Sequence, residues 1–444
     1  MSCPRRRLFV LLAGLSVVAA SCSASGGDDN GGDAPGPAAA TDTGIDVGVE
    51  DGPATTRPEI IRELPFFDDS YVHEVSITFD RDDYLAMIAV FSAVGEKEWI
   101  EATVVLDGVS YERAGVRLKG NSSLSGLAPP EEGRPAAIPG RDASADRPED
   151  LPWLIRLDKF VDDQNHEGLY DLVIRSNTSQ TSLNEAVAVD LLDAAGLASQ
   201  AAVPVRFRVD GGPARLRLGM ENPDEGWMVR AFGAGGGLYK ARSAGNWEYR
   251  GDDFEAYDAS FDQKAGKADV DLTPLVEFLD FINNSGDAAF AAGMAERFDV
   301  VGFAVYLAMQ DLLQNFDDIN GPGNNAYLHY DPTRQWWTVV PWDNNFSLAG
   351  LGFLADGGPA ADVAGLPEFG SNVLVDRFLA NPDFDQITSG QVDALTRSLY
   401  ASGVAAEILA RRVAVLERDA ADLVDPAVVR EEAERVAAHF VSSR

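Results

Sequence analysis

Cysteine is almost missing from this chain: Cys3 and Cys22 are the two among 444 residues. No disulfide can therefore brace anything beyond residue 22, and the body of the protein must be held by its core alone. Histidine is nearly as sparse. His73, His166, His329 and His439 are scattered without a spacing that suits zinc, and no Ser-His-Asp arrangement can be read from their order. Positive charge is short as well, with 36 Lys and Arg against 71 Asp and Glu and a formal net charge of −35. That argues against nucleic acid, whose phosphates call for Lys and Arg, and against adhesion to anionic lipid. An acidic surface keeps a protein soluble, and a protein substrate of such a chain is expected to be basic. The apolar run behind Arg5–Arg7 is too short for a permanent membrane span, and no internal repeat is visible.

What is present begins with a leader. Residues 1–22 combine Arg5 to Arg7, a short apolar run and small residues, the pattern of a signal peptide. Ala19-Ala20-Ser21-Cys22 resembles a bacterial lipobox, which implies cleavage before Cys22, lipidation of its thiol and an exported protein anchored to the cell membrane. Residues 23–57, rich in Gly, Asp, Ala, Pro and Thr, offer nothing to bury and read as a disordered tether. Hydrophobic residues make up 45% of the chain, enough for a sizeable core. The domain is expected over 58–355, with 356–444 as its helical C-terminal part. Val72–Phe79 alternates like a half-buried strand, Asp80 to Met87 reads as a short helix, and Trp99–Leu106 with Tyr111–Leu118 reads as a hairpin turned at Asp107-Gly108. Strands are predicted at Trp153–Phe160, Gly168–Ser176, Ala202–Val209, Gly219–Glu221 and Gly226–Arg230. Asp252 to Asp271 reads as an acidic surface excursion. A helix is predicted from Thr178 to Gly196, with Ser182 and Glu185 spaced as a capping box. Helices also start at Thr273-Pro274 and cover Phe290–Phe298 and Val300–Leu313. Gly350–Gly365 is a Gly/Ala-rich loop, and from Asn372 the chain is helical.

The chemistry gathers between Gln314 and Leu348. An apolar helix runs into Asn315, Asp317 and Asp318, and a Gly-Pro-Gly turn follows. Two strands, Ala326–Tyr330 and Gln335–Val340, are joined by Asp331-Pro332-Thr333-Arg334, with Asp and Pro at the first two turn positions. Pairing them puts Asn325 and Asp343 at one open end, within roughly 10 Å of each other at strand rise. Two acids and a carboxamide there suit a hard cation such as Mg2+, although the same residues also build solvated turns. The calcium-loop pattern fails, because Phe316 or Pro322 falls on a ligand place. Gly115 to Ser123 ends a strand in Gly, Lys119 and Ser. Its amides suit a phosphate, or it is a plain hairpin end with a solvated lysine.

Several stretches together are similar to the CotH (spore-coat protein H-like) kinase family. They are G-V-R-L-K-G-N-S-S at 115–123, S-L-N-E-A-V-A at 182–188, G-L-Y-K at 237–240, N-F-D at 315–317, Asn325 before an aromatic strand, and W-W-T-V-V-P-W-D at 336–343. The resemblance implies an α+β, atypical protein-kinase-like domain of two lobes, with a mixed or antiparallel sheet in the N-terminal part and a helical C-terminal tail. It implies ATP and Mg2+ as cofactors and Ser/Thr of exported or cell-surface proteins as acceptors. Asp317 would be the catalytic base, and Asn325, Asp343 and Asn345 the metal residues. Lys119, Arg156 or Lys240 would meet the nucleotide, with Glu185 pairing to that cation and Trp337 stacking on adenine. The chain departs from the family's usual W-D-x-D by reading Trp342-Asp343-Asn344-Asn345. One carboxylate is thus replaced by a neutral amide, which leaves a non-catalytic (pseudokinase) surface protein as the alternative reading.

Overall fold

The computed structural model describes residues 64–127, 143–242, 246–315, 317–320, 325–348 and 372–442. The expected leader, Cys22, the tether and the 350–365 loop lie outside them. Strand β1 (His73–Phe79) alternates as its sequence predicts, burying His73, Val75 and Ile77. Helix α1 (Arg81–Val94) follows. The Asp80 carboxylate caps it by accepting from the Asp82 and Asp83 amides, and Gly95 ends it at φ 77°. It runs past Met87 because Tyr84, Met87, Ile88 and Phe91 continue one buried stripe. Strands β2 (Ile100–Leu106) and β3 (Val109–Leu118) form the expected hairpin. Asp107 and Gly108 both take positive φ, which a tight two-residue hairpin turn requires.

Next come β4 (Trp153–Arg156), β5 (Asp171–Ile174), helix α2 (Leu183–Ala194), β6 (Ala202–Val209) and β7 (Arg215–Glu221). The strands close into a barrel in the order β1-β2-β3-β4-β5-β7-β6. β6 returns beside β1 in parallel register, His73 opposite Val205 and Ile77 opposite Val209. Closure leaves no free edge. The interior holds Val75, Ile77, Val104, Val116, Leu118, Trp153, Ile155, Leu172, Ile174, Val205 and Phe207. Alternation foretells which side chains point inward. It does not foretell closure, because the β1–β6 pairing joins segments some 130 residues apart.

The rest of the chain is α3 (Glu225–Phe232), β8 (Gly237–Ala241), β9 (Phe261–Ala265), α4 (Thr273–Asn284), α5 (Asp287–Arg297) and α6 (Val300–Leu312). It continues with β10 (Ala326–Asp331), β11 (Trp336–Pro341), α7 (Val373–Ala380), α8 (Pro382–Leu395), α9 (Val404–Asp419) and α10 (Pro426–Ser442). A second, antiparallel sheet has the order β11-β10-β8-β9. One of its faces packs Leu238, Tyr327 and Val340 against Leu154, Val173, Leu218 and Met220 on the outside of the barrel. The other packs Tyr239, Leu328, Trp337 and Val339 against the helices.

Three expectations are corrected. Gly226–Arg230 is helix, not strand: the Asp224 carboxylate accepts from the Trp227 amide, and Trp227, Met228 and Ala231 are buried at helical spacing. The 252–271 excursion contains β9 and buries Tyr257, Phe261 and Val270. The capping box does not form. Ser182 sits at φ 54° with no side-chain cap bond, and Glu185 turns instead to an arginine.

Helix α9 returns to the barrel through Arg412. This buried residue grips Asp190 of α2 with two bonds (2.9 and 2.6 Å) and donates to the Ala202 carbonyl at 2.9 Å. Removing one partner of such a pair strands the other charge. Arg412→Ala should therefore lower unfolding free energy by about 3 kcal/mol in urea melts; a loss under about 1 kcal/mol, the usual value for exposed pairs, would show that the contact is dispensable.

Candidate active site

Strand alternation builds one wall of a cleft on the outside of the barrel. With Val116 and Leu118 inside, Arg117 and Lys119 face outward. With Ile155 inside, Arg156 faces outward. With Leu172 and Ile174 inside, Asp171 and Arg175 do so. The second sheet supplies the other wall through Lys240, whose register partner is Tyr327, and through the end of β11.

Arg175 is the connecting residue. Its side chain is 12% exposed, its Nη2 lies 2.9 Å from one Glu185 oxygen, and its Nε donates to the other at 3.2 Å. The same Nη2 donates to Asp343 Oδ1. Burial alone would favour the neutral guanidine, but Asp343 and Glu185 outweigh it and hold the charge. The predicted partnership of Glu185 with a cation is thus made with Arg175, a residue outside the three cations the sequence proposed.

Those three are distributed along the cleft. Lys119 Nζ donates to Asn222 Oδ1 at 2.8 Å, and Asn222 Nδ2 donates to Asp171 at 2.9 Å. Arg156 engages Asp171 through two bonds of 2.8 and 2.7 Å. Lys240 Nζ donates to the Ala241 carbonyl at 3.2 Å and lies 5.2 Å from the Tyr327 ring centre. Burial pushes Lys240 down to about 8 against the pull of Asp343 and Asp317, with Lys264 adding to the depression. Lys97, which donates to the Gly120 carbonyl at 2.5 Å, is likewise pushed down to about 8 by burial and by Arg117 and Lys264. Lys119 is driven well below its usual range by burial, then by Lys264 and Arg117. At the mouth, Arg117, Arg156 and Lys159 lie 4.6, 5.4 and 5.6 Å from the centre of the half-buried Trp99 ring.

On the acidic side, Ala326 pairs with Pro341, so Asn325 and Asp343 stand at the same end of the hairpin, as predicted. Asn325 Nδ2 donates to the Asp317 carbonyl at 2.7 Å. Asp317 and Asp343 both act on Lys240, which brings the three into one electrostatic neighbourhood. The Asn345 carbonyl accepts from Thr178 Oγ1 at 3.2 Å and Asn184 Nδ2 at 2.8 Å. Its side-chain oxygen is buried without a hydrogen-bond partner, as are both polar atoms of Asn344. The side-chain oxygens of Asn325, Asp343 and Asn345 are hard donors of the kind Mg2+ takes. Among the described residues no group of three or more His, Cys, Asp and Glu is gathered for a metal, so such a site would draw most of its negative charge from a ligand.

Trp337 stands apart from this group. It is buried on the helical face of the second sheet, 5.2 Å from Phe278 and 4.7 Å from Tyr330 between ring centres. Lys240 and Trp342 belong to the other face. The residues that sequence reasoning missed are Arg175, Lys97 and Lys264. Arg175 carried a usable signal, because it continues the outward series Asp171, Val173, Arg175.

Residues 116–420 match the family model described as CotH kinase protein. No curated protein compared with the chain matches it. A solved structure, described as that of a Helicobacter pylori proinflammatory kinase CtkA, aligns with 61% of this chain and 91% of its own at 11% identity, with a TM-score of 0.28. At that score the likeness carries no argument.

The lysines set a pH dependence. A lysine whose folded value falls from 10.5 to about 8 is neutral in the fold while still charged in the unfolded chain. Between these values the unfolded state binds more protons, so stability rises with pH across that window. A polyphosphate needs the charged form, so its affinity moves the opposite way. Binding of inorganic triphosphate, followed by calorimetry, should weaken at least about tenfold from pH 7 to pH 9, with proton uptake at the higher pH. A flat profile would show that neither lysine meets the anion.

Proposed function

The chain belongs to the CotH kinase family, and from that premise we propose that it is an ATP- and Mg2+-dependent kinase acting on Ser or Thr of exported or cell-surface proteins. The observation that carries this reading is the concentration of Lys97, Lys119, Arg175, Lys240 and Lys264 in one cleft of a protein with net charge −35, beside Asp317, Asn325 and Asp343. Desolvated cations of this kind suit a triphosphate. In the two-lobed reading the barrel is one lobe and the second sheet with its helices is the other.

The roles follow from position. Lys119 and Lys240 bind phosphate oxygens. Glu185 orients Arg175, which holds Asp343 at the end of β11. Asp317 accepts the proton of the acceptor hydroxyl as its oxygen attacks the terminal phosphorus and the bond to the leaving phosphate breaks. Asn325, Asp343 and Asn345 would hold Mg2+, which neutralises phosphate charge when bound. Trp337 keeps a packing role in this scheme, and the base takes another surface. The leader and Cys22 support an anchored protein facing outside the cytoplasm, where a source of ATP must exist for the reaction to run. Among the described residues no helix is long and apolar enough to cross a membrane.

A non-catalytic binding protein on the same scaffold is the second reading, favoured by Asn345 standing where relatives usually carry a carboxylate. Incubation with Mg2+, labelled ATP and a generic basic protein separates the two. The enzyme reading expects incorporation that chelation of Mg2+ abolishes and that Asp317→Ala lowers about a thousandfold with unchanged melting. No incorporation and no thermal shift with Mg-ATP would leave the binding protein.

A further inference from the structure

The family match ends at residue 420, and α10 lies beyond it. This helix buries Val429, Val436 and Phe440, with the Phe440 ring 5.3 Å from that of Tyr400. Two polar residues near that stripe, Glu432 and His439, reach the links on which the cleft hangs. Glu432 is 9% exposed and accepts from the amides of Gln180 (2.9 Å) and Thr181 (3.1 Å) and from the Thr181 hydroxyl. That link joins Arg175 to Glu185, the two ends of the ion pair that holds Asp343, and its Thr178 hydroxyl also donates to the Asn345 carbonyl. His439 hydrogen bonds Gln314 at 3.1 Å. Gln314 stands at φ 52° three residues before Asp317.

We propose that α10 is a strap that sets the geometry of the cleft, with Glu432 and His439 as positioning residues for Asp343 and Asp317. The carboxylate of Glu432 satisfies three donors at once in a backbone stretch that makes no capping bond of its own at Ser182. With it in place, α2 begins where Glu185 can meet Arg175. Drawing α10 away frees both links together, which gives the C-terminal helix control over a site made entirely of residues before it. The effect on reaction rate rests on the kinase reading; the effect on local order does not.

The experiment is hydrogen exchange on the full chain carrying Glu432→Gln, which keeps the size of the side chain but turns an amide N–H toward donors. Exchange should quicken about tenfold at Gln180–Glu185 and at Asp343–Leu348, with the β2–β3 hairpin unchanged. The kcat of phosphate transfer should fall about tenfold while KM for the acceptor protein stays constant, and Glu432→Asp should restore both. Acceleration confined to 180–182, spread evenly over the barrel, or absent overturns the proposal for Glu432. If Glu432→Gln does not fold, His439→Ala decides: faster exchange at Asn315, Asp317 and Ile319 supports the strap, and unchanged exchange refutes it. Wild-type protein that transfers no phosphate, together with the local exchange pattern in Glu432→Gln, would sink the kinase reading and leave the strap standing.

Discussion

A guanidinium held between two carboxylates, Arg175 between Glu185 and Asp343, is the contact on which the cleft depends. Each of the three comes from a different part of the fold: the end of a barrel strand, the first turn of α2 and the residue pair following β11. Taking a guanidinium out of water is costly, and the attraction offsets that cost only when the geometry is good and further bonds are made. Here both carboxylates are needed. With Glu185 alone, Asp343 would lose its ion pair to the barrel. With Asp343 alone, the first turn of α2 would lose its ion pair to the end of β5. The backbone at Asp343, at φ 60°, is held in a conformation that non-glycine residues seldom adopt. The ion pair is one of the contacts that keeps it there.

Around this contact the charge of the molecule is sorted. A chain with twice as many acids as bases would be expected to repel a triphosphate, and its average surface does. The cleft reverses the sign locally, because the period-two alternation of β3, β4 and β5 sends Arg117, Lys119, Arg156 and Arg175 to the same side. Lys97, Lys119 and Lys240 are depressed by burial and by the neighbouring charge of Lys264, a strain that an anion beside them would relieve. Overall charge therefore speaks to solubility, while the alternation of three strands gathers the cations of the cleft.

Much of this was legible in the sequence wherever a local rule applied. The Asp107-Gly108 hairpin and the Asp331 turn follow from turn chemistry, and the pairing of Asn325 with the end of β11 follows from that turn. Closure of the barrel was not legible, since it depends on a parallel pairing of distant strands. The helix at Glu225 was hidden because the short run 226–230 reads equally as a strand, whereas Asp224 supplies a cap and Trp227, Met228 and Ala231 set the period. Trp337 misled for a subtler reason. It has the same parity in β11 as Asp343, which in an unbroken strand would put both on one face. The strand ends at Pro341, and the left-handed backbone at Asp343 cancels the parity, leaving Trp337 among Phe278, Tyr239 and Tyr330. Arg175 was overlooked because a single arginine at a strand end resembles a solvated residue until Glu185 and Asp343 are brought beside it.

The absence of disulfides in the body of the chain explains why its parts are tied crosswise. Arg412 of α9 grips Asp190 of α2 and the first carbonyl of β6. Arg206 of β6 pairs with Asp422 in the link to α10 and with Glu74 of β1. The Arg412 and Arg206–Asp422 bridges span the seam between barrel and helices, and Arg206–Glu74 joins two barrel strands. The exposed ones are worth little singly. The buried Arg412 bridge matters more, because α2 also carries Glu185. Stability of the helical part and alignment of the cleft thus pass through the same helix. A substitution that loosens α9 or α10 is felt at Arg175 before the barrel itself gives way, since the barrel closes on its own hydrogen bonds whereas the placement of α2 leans on Arg412 and Glu432.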